Sequence, residues 1–168
     1  MSLLLTTINS EIEDLKKNNV RLLTIGDTTT LPDNVQEKIN YAINTTSENN
    51  GLTLILALSY SAKQDIINAI RIVCKEIEND MFSTSDITTE AFGKYLSTAN
   101  FPDPELLIRT SGEYRISNFL LWEIAYSELY FTETLWPDFN KEEFYKAILD
   151  YQKREKRYGK TSEQVTKK

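Results

Sequence analysis

The run Leu52-Thr53-Leu54-Ile55-Leu56-Ala57-Leu58 decides the fold class. It is apolar on both faces, which suits a strand buried in a parallel sheet better than a strand with one wet face. Upstream, Val20-Arg21-Leu22-Leu23-Thr24-Ile25 reads as another strand, rich in branched residues and ending at Gly26-Asp27. Between them, Pro32-Asp33 starts a helix that runs to Glu48, where Asn49-Asn50-Gly51 stops it. Strand, helix and strand in this order predict a parallel pair joined by a crossover.

The pattern extends outward in both directions. From Leu3 to Lys17, the residues Leu4, Leu5, Ile8, Ile12 and Leu15 recur at helical spacing and predict an amphipathic helix. Downstream, helices are expected over Lys63 to Glu78 and, shorter, over Thr89 to Ser97. A strand follows at Leu106-Leu107-Ile108-Arg109, after the loop bracketed by Pro102 and Pro104. Ser117 is placed to cap a helix to Ser127, Leu129 to Thr132 forms a short strand, Trp136-Pro137 turns, and the last helix covers Lys141 to Arg157. The expected architecture is one α/β domain over residues 1–168, with an open, mostly parallel sheet covered by helices on both faces.

Composition narrows the chemistry. The chain has 168 residues, 40% hydrophobic and 26% charged, enough for a core without staples. Its net charge of −6 disfavours nucleic-acid binding, because a phosphate backbone needs clustered cations. It contains no histidine, which removes His-activated nucleophiles, His-ligated zinc and imidazole proton shuttles, and leaves carboxylate, arginine and backbone chemistry. The single cysteine, Cys74, makes no internal disulfide, so a reducing cytoplasm is the expected compartment. No apolar stretch reaches the roughly 18 residues of a membrane span. Contact with a membrane surface is a further expectation.

In open α/β sheets ligands bind beyond the carboxyl ends of the strands. Three such ends are polar: Gly26-Asp27-Thr28, Ser59-Tyr60-Ser61, and the segment from Arg109 to Asn118. The third is the richest. Arg109 and Arg115 flank a Ser-Gly turn, and Ser117 opens an expected helix whose free N–H groups favour anions. Two guanidinium forks and a hydroxyl suit a diphosphate. Each arginine taken alone is equally a surface ion-pair partner. Glu128 is a candidate ligand for a magnesium that also meets phosphate oxygens, or else an ordinary solvated acid. Asp27 reads as a turn or cap residue before a ligand. Cys74 shares a helical face with Ile66, Ile67, Ile70, Val73 and Ile77 and is expected in the core. Phe119, Trp122, Tyr126, Tyr130 and Phe131 are expected in core or interface. The basic run Lys153-Arg154-Glu155-Lys156-Arg157 reads as a solvated helix end, with an anionic ligand or lipid headgroups as the other reading.

The stretch from Pro102 to Phe139 resembles the cis-prenyltransferase family, and within it the undecaprenyl diphosphate synthases. The resemblance is carried by Asp103-Pro104-Glu105-Leu106-Leu107-Ile108-Arg109-Thr110-Ser111-Gly112-Glu113, Arg115-Ile116-Ser117-Asn118-Phe119-Leu120-Leu121-Trp122, Tyr126-Ser127-Glu128-Leu129-Tyr130-Phe131 and Trp136-Pro137-Asp138-Phe139. Weaker echoes occur at Asn19 to Asp27, Gly51 to Leu54 and Tyr151 to Tyr158. The resemblance implies repeated cis addition of isopentenyl diphosphate to farnesyl diphosphate, giving the carrier lipid of bacterial wall precursors. It implies that Arg109, Arg115 and Ser117 grip isopentenyl diphosphate, that Glu113 and Asn118 support the loop, and that Glu128 helps hold Mg2+. Leu52 and Leu54 then line a tunnel for the growing chain, and Trp122 with its aromatic neighbours forms part of a homodimer interface.

The sequence departs from the family pattern in two places. Ser59-Tyr60-Ser61-Ala62-Lys63 stands where the family shows Asn-Tyr-Gly-Gly-Arg. The family's Met-Asp-Gly-Asn-Gly-Arg segment, with its magnesium-linked Asp, is not among these residues. The expectation is therefore a C-terminal two-thirds of a synthase, with N-terminal strands missing, that binds isopentenyl diphosphate weakly and does not elongate alone. The competing expectation is a non-catalytic subunit or scaffold on the same fold. A nucleotide-binding module is disfavoured, because none of the five glycines falls in Gly-x-Gly-x-x-Gly spacing.

Overall fold

The structure, a computed structural model, describes the backbone of residues 2–155 and the side chains of residues 10–155. The described chain divides into two compact units, up to Pro102 and from Asp103 onward. In the first unit the order is α1 (Ser2–Lys17), β1 (Arg21–Ile25), α2 (Asp33–Thr45), β2 (Thr53–Ala57), α3 (Ala62–Glu78) and the one-turn α4 (Thr89–Gly93). The second unit holds β3 (Leu106–Arg109), β4 (Glu128–Phe131) and α5 (Lys141–Gln152), with 3-10 turns at Glu123–Tyr126 and Trp136–Asp138.

All strand pairing is parallel. β1 lies beside β2 with Arg21 opposite Thr53 and Ile25 opposite Ala57. β3 lies beside β4 with Leu106 opposite Glu128 and Arg109 opposite Phe131. The core of the first unit gathers Ile12, Leu22, Val35, Ile39 and Ala42, so one face each of α1 and α2 closes over β1. Fully buried Thr46 ends α2 by donating to the Ala42 carbonyl at 2.9 Å while accepting from the Leu22 amide at 3.0 Å. That double role stops α2 short of the expected Glu48. Gly26 must be glycine. Its φ is +97°, and a Cβ there would lie 2.2 Å from the Leu58 carbonyl oxygen, where β1 and β2 release their chains side by side.

Several expectations are corrected. The stretch Ser117 to Ser127 is not a helix, because Ser117, Asn118 and Leu120 sit at φ of +49°, +62° and +48°, outside the right-handed helical region. Cys74 is exposed: α3 buries the face of Ala62, Ala69 and Val73, and leaves Ile67 and Ile70 more than 40% open. β2 is not buried on both faces, since Leu52 is 69% and Leu54 38% exposed. Among the described residues it pairs on one edge only, with β1. Helix α5 ends at Gln152, and Lys156 and Arg157 of the expected last helix lie outside the described residues.

Candidate diphosphate site

β3 delivers Arg109 to its carboxyl end, and the chain there turns through two left-handed residues, Ser111 and Gly112. Beyond the turn, Arg115, Ile116, Ser117, Phe119 and Leu120 fold back along β3. Together with Leu106, Leu107, Ile108 and Arg109 they enclose a cavity of about 370 Å³. The lining is apolar apart from two arginines and Ser117. The structure thus brings Arg109, Arg115 and Ser117 together. It does so without the helix N-terminus expected at Ser117, so the polar groups that these three residues bring together are side chains.

The two arginines differ. Arg109 is half-buried, and its buried Nε has no hydrogen-bond partner among the described residues. An orphaned buried donor is costly unless a ligand satisfies it. Arg115 is more exposed and pairs through Nη1 with Glu113, which places Glu113 beside the cavity as support for a cation. Asn118 is half-buried in the same left-handed turn.

The loop is pinned from the far side by the chain leaving β4. The Ser111 amide donates to the Thr134 carbonyl and the Gly112 amide to the Thr132 carbonyl, both at 2.9 Å. Tyr114 lays its ring against Phe131, centroids 5.3 Å apart, and donates its hydroxyl to Glu133 Oε1 at 3.1 Å. That hydrogen bond, with the carboxylate charge behind it, raises the Tyr114 phenol above its ordinary range. A Cβ on Gly112 would meet Glu133 Oε2 at 2.4 Å.

Glu128 is elsewhere. It opens β4 opposite Leu106, at the amino end of the ladder, and does not line the cavity. Its Oε2 accepts from Arg154 Nη1 at 2.9 Å, and the same nitrogen donates to the Leu129 carbonyl at 2.9 Å. Asp150 takes the other side of the guanidinium, at 2.9 Å from Nε and 2.5 Å from Nη2. Glu128 and then Asp150 push the Arg154 pKa up, so it stays charged. Tyr151, the penultimate residue of α5, donates to Glu105, which immediately precedes β3. Glu128 Oε1 takes no hydrogen bond among the described residues, which leaves one hard oxygen donor open. Among the described residues no three His, Cys, Asp or Glu side chains cluster as a metal site. A magnesium held here would have Glu128 as its one carboxylate ligand among the described residues, shared with Arg154, with its other positions left to phosphate oxygens and water.

In the first unit, Asp27 accepts from the Thr29 amide at 3.1 Å, the cap geometry expected of it. Ser59, at φ of +48°, together with Tyr60 and Ser61 lines a second, polar cavity of about 380 Å³ with Gly26, Asp27 and Asp65. Sequence reasoning missed Tyr114, Glu133, Asp150 and the role of Arg154. The 19-residue separation of Tyr114 from Glu133 offers no local signal.

The cavity along β3 thus combines two arginines and a serine with apolar side chains, the mixture of a few polar groups and an apolar lining usual in ligand sites. The chain belongs to the prenyltransferase family whose model, described as putative undecaprenyl diphosphate synthase, matches residues 1–159. It is 48% identical over 165 residues to an isoprenyl transferase of Chlorobaculum tepidum, covering 98% of this chain and 62% of that protein. It is also 48% identical over 161 residues to the ditrans,polycis-undecaprenyl-diphosphate synthase ((2E,6E)-farnesyl-diphosphate specific) of Haemophilus influenzae, covering 96% and 67%. The chain thus spans about two thirds of the length of these relatives. Among solved structures, lavandulyl diphosphate synthase from Lavandula x intermedia in complex with dimethylallyl diphosphate matches with a TM-score of 0.92 and 34% identity, over 95% of this chain and 70% of that one. A probable undecaprenyl diphosphate synthase from Campylobacter jejuni matches with a TM-score of 0.81 and 36% identity, over 95% and 72%.

Proposed function

We propose that the protein is a cis-prenyltransferase of the undecaprenyl diphosphate synthase type, and that this chain carries its isopentenyl diphosphate site. The observation that carries the reading is the orphaned, buried Nε of Arg109, a residue that lines one cavity with Arg115 and Ser117. A diphosphate supplies the missing acceptor. The apolar wall of Leu106, Ile108, Ile116, Phe119 and Leu120 suits a five-carbon alkenyl tail, whose burial is worth roughly 0.8 kcal/mol per methylene.

In the proposed reaction, the allylic C–O bond of farnesyl diphosphate breaks, and the double bond of isopentenyl diphosphate attacks the allylic carbon. Loss of a proton then sets the new double bond in cis. Arg109, Arg115 and Ser117 hold the isopentenyl diphosphate by its charged end, leaving the alkene free to attack. Glu113 orients Arg115. Magnesium, when bound, neutralises phosphate oxygens, and Glu128 is the carboxylate proposed to hold it. Leu52, just before β2, and Leu54, within it, are both exposed and are proposed to meet the growing chain. Trp122, with Tyr126 at 91% exposure, is proposed to form part of a homodimer contact. A cytoplasmic site of action fits the water-soluble diphosphate substrates. Release of so apolar a product calls for contact with a membrane surface, and no described helix is long and apolar enough to cross one.

The test joins this chain to the N-terminal third of the Haemophilus influenzae relative. Incorporation of labelled isopentenyl diphosphate into lipid-extractable product is then measured with farnesyl diphosphate and Mg2+. The reading expects product from the hybrid and none from its Arg109→Ala variant. A folded but inert hybrid would favour the non-catalytic scaffold.

A further inference from the structure

Arg115 is mostly exposed and sits on a loop that the backbone does not favour. Ser111, Gly112, Ser117, Asn118 and Leu120 all have φ between +48° and +71°. Residues held in the left-handed region persist only where surrounding contacts over-determine them. Within the second unit, three contacts that brace the loop lie at 131–134. Two are the backbone bonds from Ser111 and Gly112 to Thr134 and Thr132, on the Arg109 side of the turn. The third is Tyr114, immediately before Arg115, whose ring packs on Phe131 and whose hydroxyl donates to Glu133. Phe131 is the residue opposite Arg109 in the β3–β4 ladder. Tyr114 therefore ties the residue that follows it to the rung that holds the other guanidinium. Glu133 is in turn packed against Gly112, where any larger residue would displace its carboxylate.

We infer that Tyr114 and Glu133 are a positioning pair for the diphosphate site, fixing Arg115 relative to Arg109 so that both guanidiniums meet one ligand. Neither residue lines the cavity, so neither touches the ligand. They act through the loop. The inference rests on the proposed isopentenyl diphosphate site, and it adds the reason the loop carries an aromatic phenol between Glu113 and Arg115. Tyr114 is 72% exposed, so its contribution to overall stability is small and its effect is felt in the geometry of its neighbour.

The test is calorimetric binding of isopentenyl diphosphate to the full chain, alongside the thermal midpoint of each variant. Tyr114→Phe and Glu133→Ala are each expected to weaken binding by about three- to tenfold, as loss of a hydrogen bond to a charged group does. Their combination is expected to be no weaker than either alone, because both remove the same contact. Glu133→Gln keeps an acceptor for the phenol and is expected to bind within about twofold of the parent. Gly112→Ala, which pushes Glu133 aside, is expected to weaken binding as Glu133→Ala does. Arg109→Ala separates the two layers of the argument. If it abolishes binding while Tyr114→Phe and Glu133→Ala bind as the parent does, the positioning pair is wrong and the site stands. If Arg109→Ala itself binds as the parent does, the site reading fails and the pair falls with it. Additive losses in the double variant, tracking the thermal midpoint, would also overturn the inference, since they denote general destabilisation.

Discussion

Arg109 and Glu128 stand at opposite ends of one two-stranded ladder. Arg109 closes β3 opposite Phe131, while Glu128 opens β4 opposite Leu106. Two rungs lie between theirs, so three residue steps separate them, about 10 Å along the strand direction. The proposed diphosphate site and the Glu128 carboxylate thus lie at different ends of the ladder, with Leu107 and Ile108 of β3 between their rungs.

Arg109 carries a cost that its ligand removes. Its Nε is buried without a partner among the described residues, so Arg109→Leu is expected to leave the fold as stable as the parent, or more stable, while abolishing isopentenyl diphosphate binding. Urea unfolding checks the first half. A large loss of stability would mean that Arg109 serves the fold.

Arg154 has three acceptors, in Glu128, Asp150 and the Leu129 carbonyl. Arg154 and Glu128 are each about one-third exposed (29% and 31%), so Glu128→Gln is expected to cost about 0.5–1 kcal/mol, and less in high salt. A divalent cation at Glu128 must share that carboxylate with a guanidinium. Arg154→Gln is therefore expected to tighten Mn2+ binding, read by electron paramagnetic resonance, and unchanged binding would contradict the sharing.

Gly26 occupies a point where two backbones nearly touch. Gly26→Ala places a methyl against the Leu58 carbonyl at positive φ and is expected to destabilise the chain by about 3 kcal/mol or more. Chemical denaturation measures it. A loss below about 1 kcal/mol would show that the two strand ends separate freely.

Tyr114 titrates late because Glu133 holds its hydroxyl. An unfolded chain releases this proton near pH 10, so a pKa raised by folding adds stability that is complete below about pH 10. That stability is lost as pH rises through the higher folded value. Phenolate absorbance of Glu133→Ala is expected to show one phenol moving down toward its ordinary range, a change absent when Tyr114→Phe is the background. Identical titrations of parent and Glu133→Ala would remove the hydrogen bond from the account.

Strand identity was legible wherever side-chain chemistry repeats locally. The branched run before Gly26 and the run before Arg109 both fold as strands within a residue of the expected limits. The arginine pair and Ser117 were legible because six residues of loop must return to the strand end that launched them. Ser117 to Ser127 was not, since its aromatic spacing imitates a helix while the real determinant is three left-handed residues that only the tertiary setting fixes. Cys74 was misplaced for a related reason: α3 has more apolar surface than one face needs, and periodicity cannot say which side finds a partner. The Tyr114–Glu133 and Arg154–Glu128 contacts join residues 19 and 26 positions apart, beyond any local pattern.

The central claim is that Arg109, Arg115 and Ser117 form one receptor for isopentenyl diphosphate, and the most direct measurement is calorimetric titration of this ligand into the parent chain, Arg109→Ala and Arg115→Ala. The account predicts saturable binding by the parent, loss of binding in Arg109→Ala and weaker binding in Arg115→Ala, whose guanidinium is already shared with Glu113. Equal binding by all three chains would contradict it.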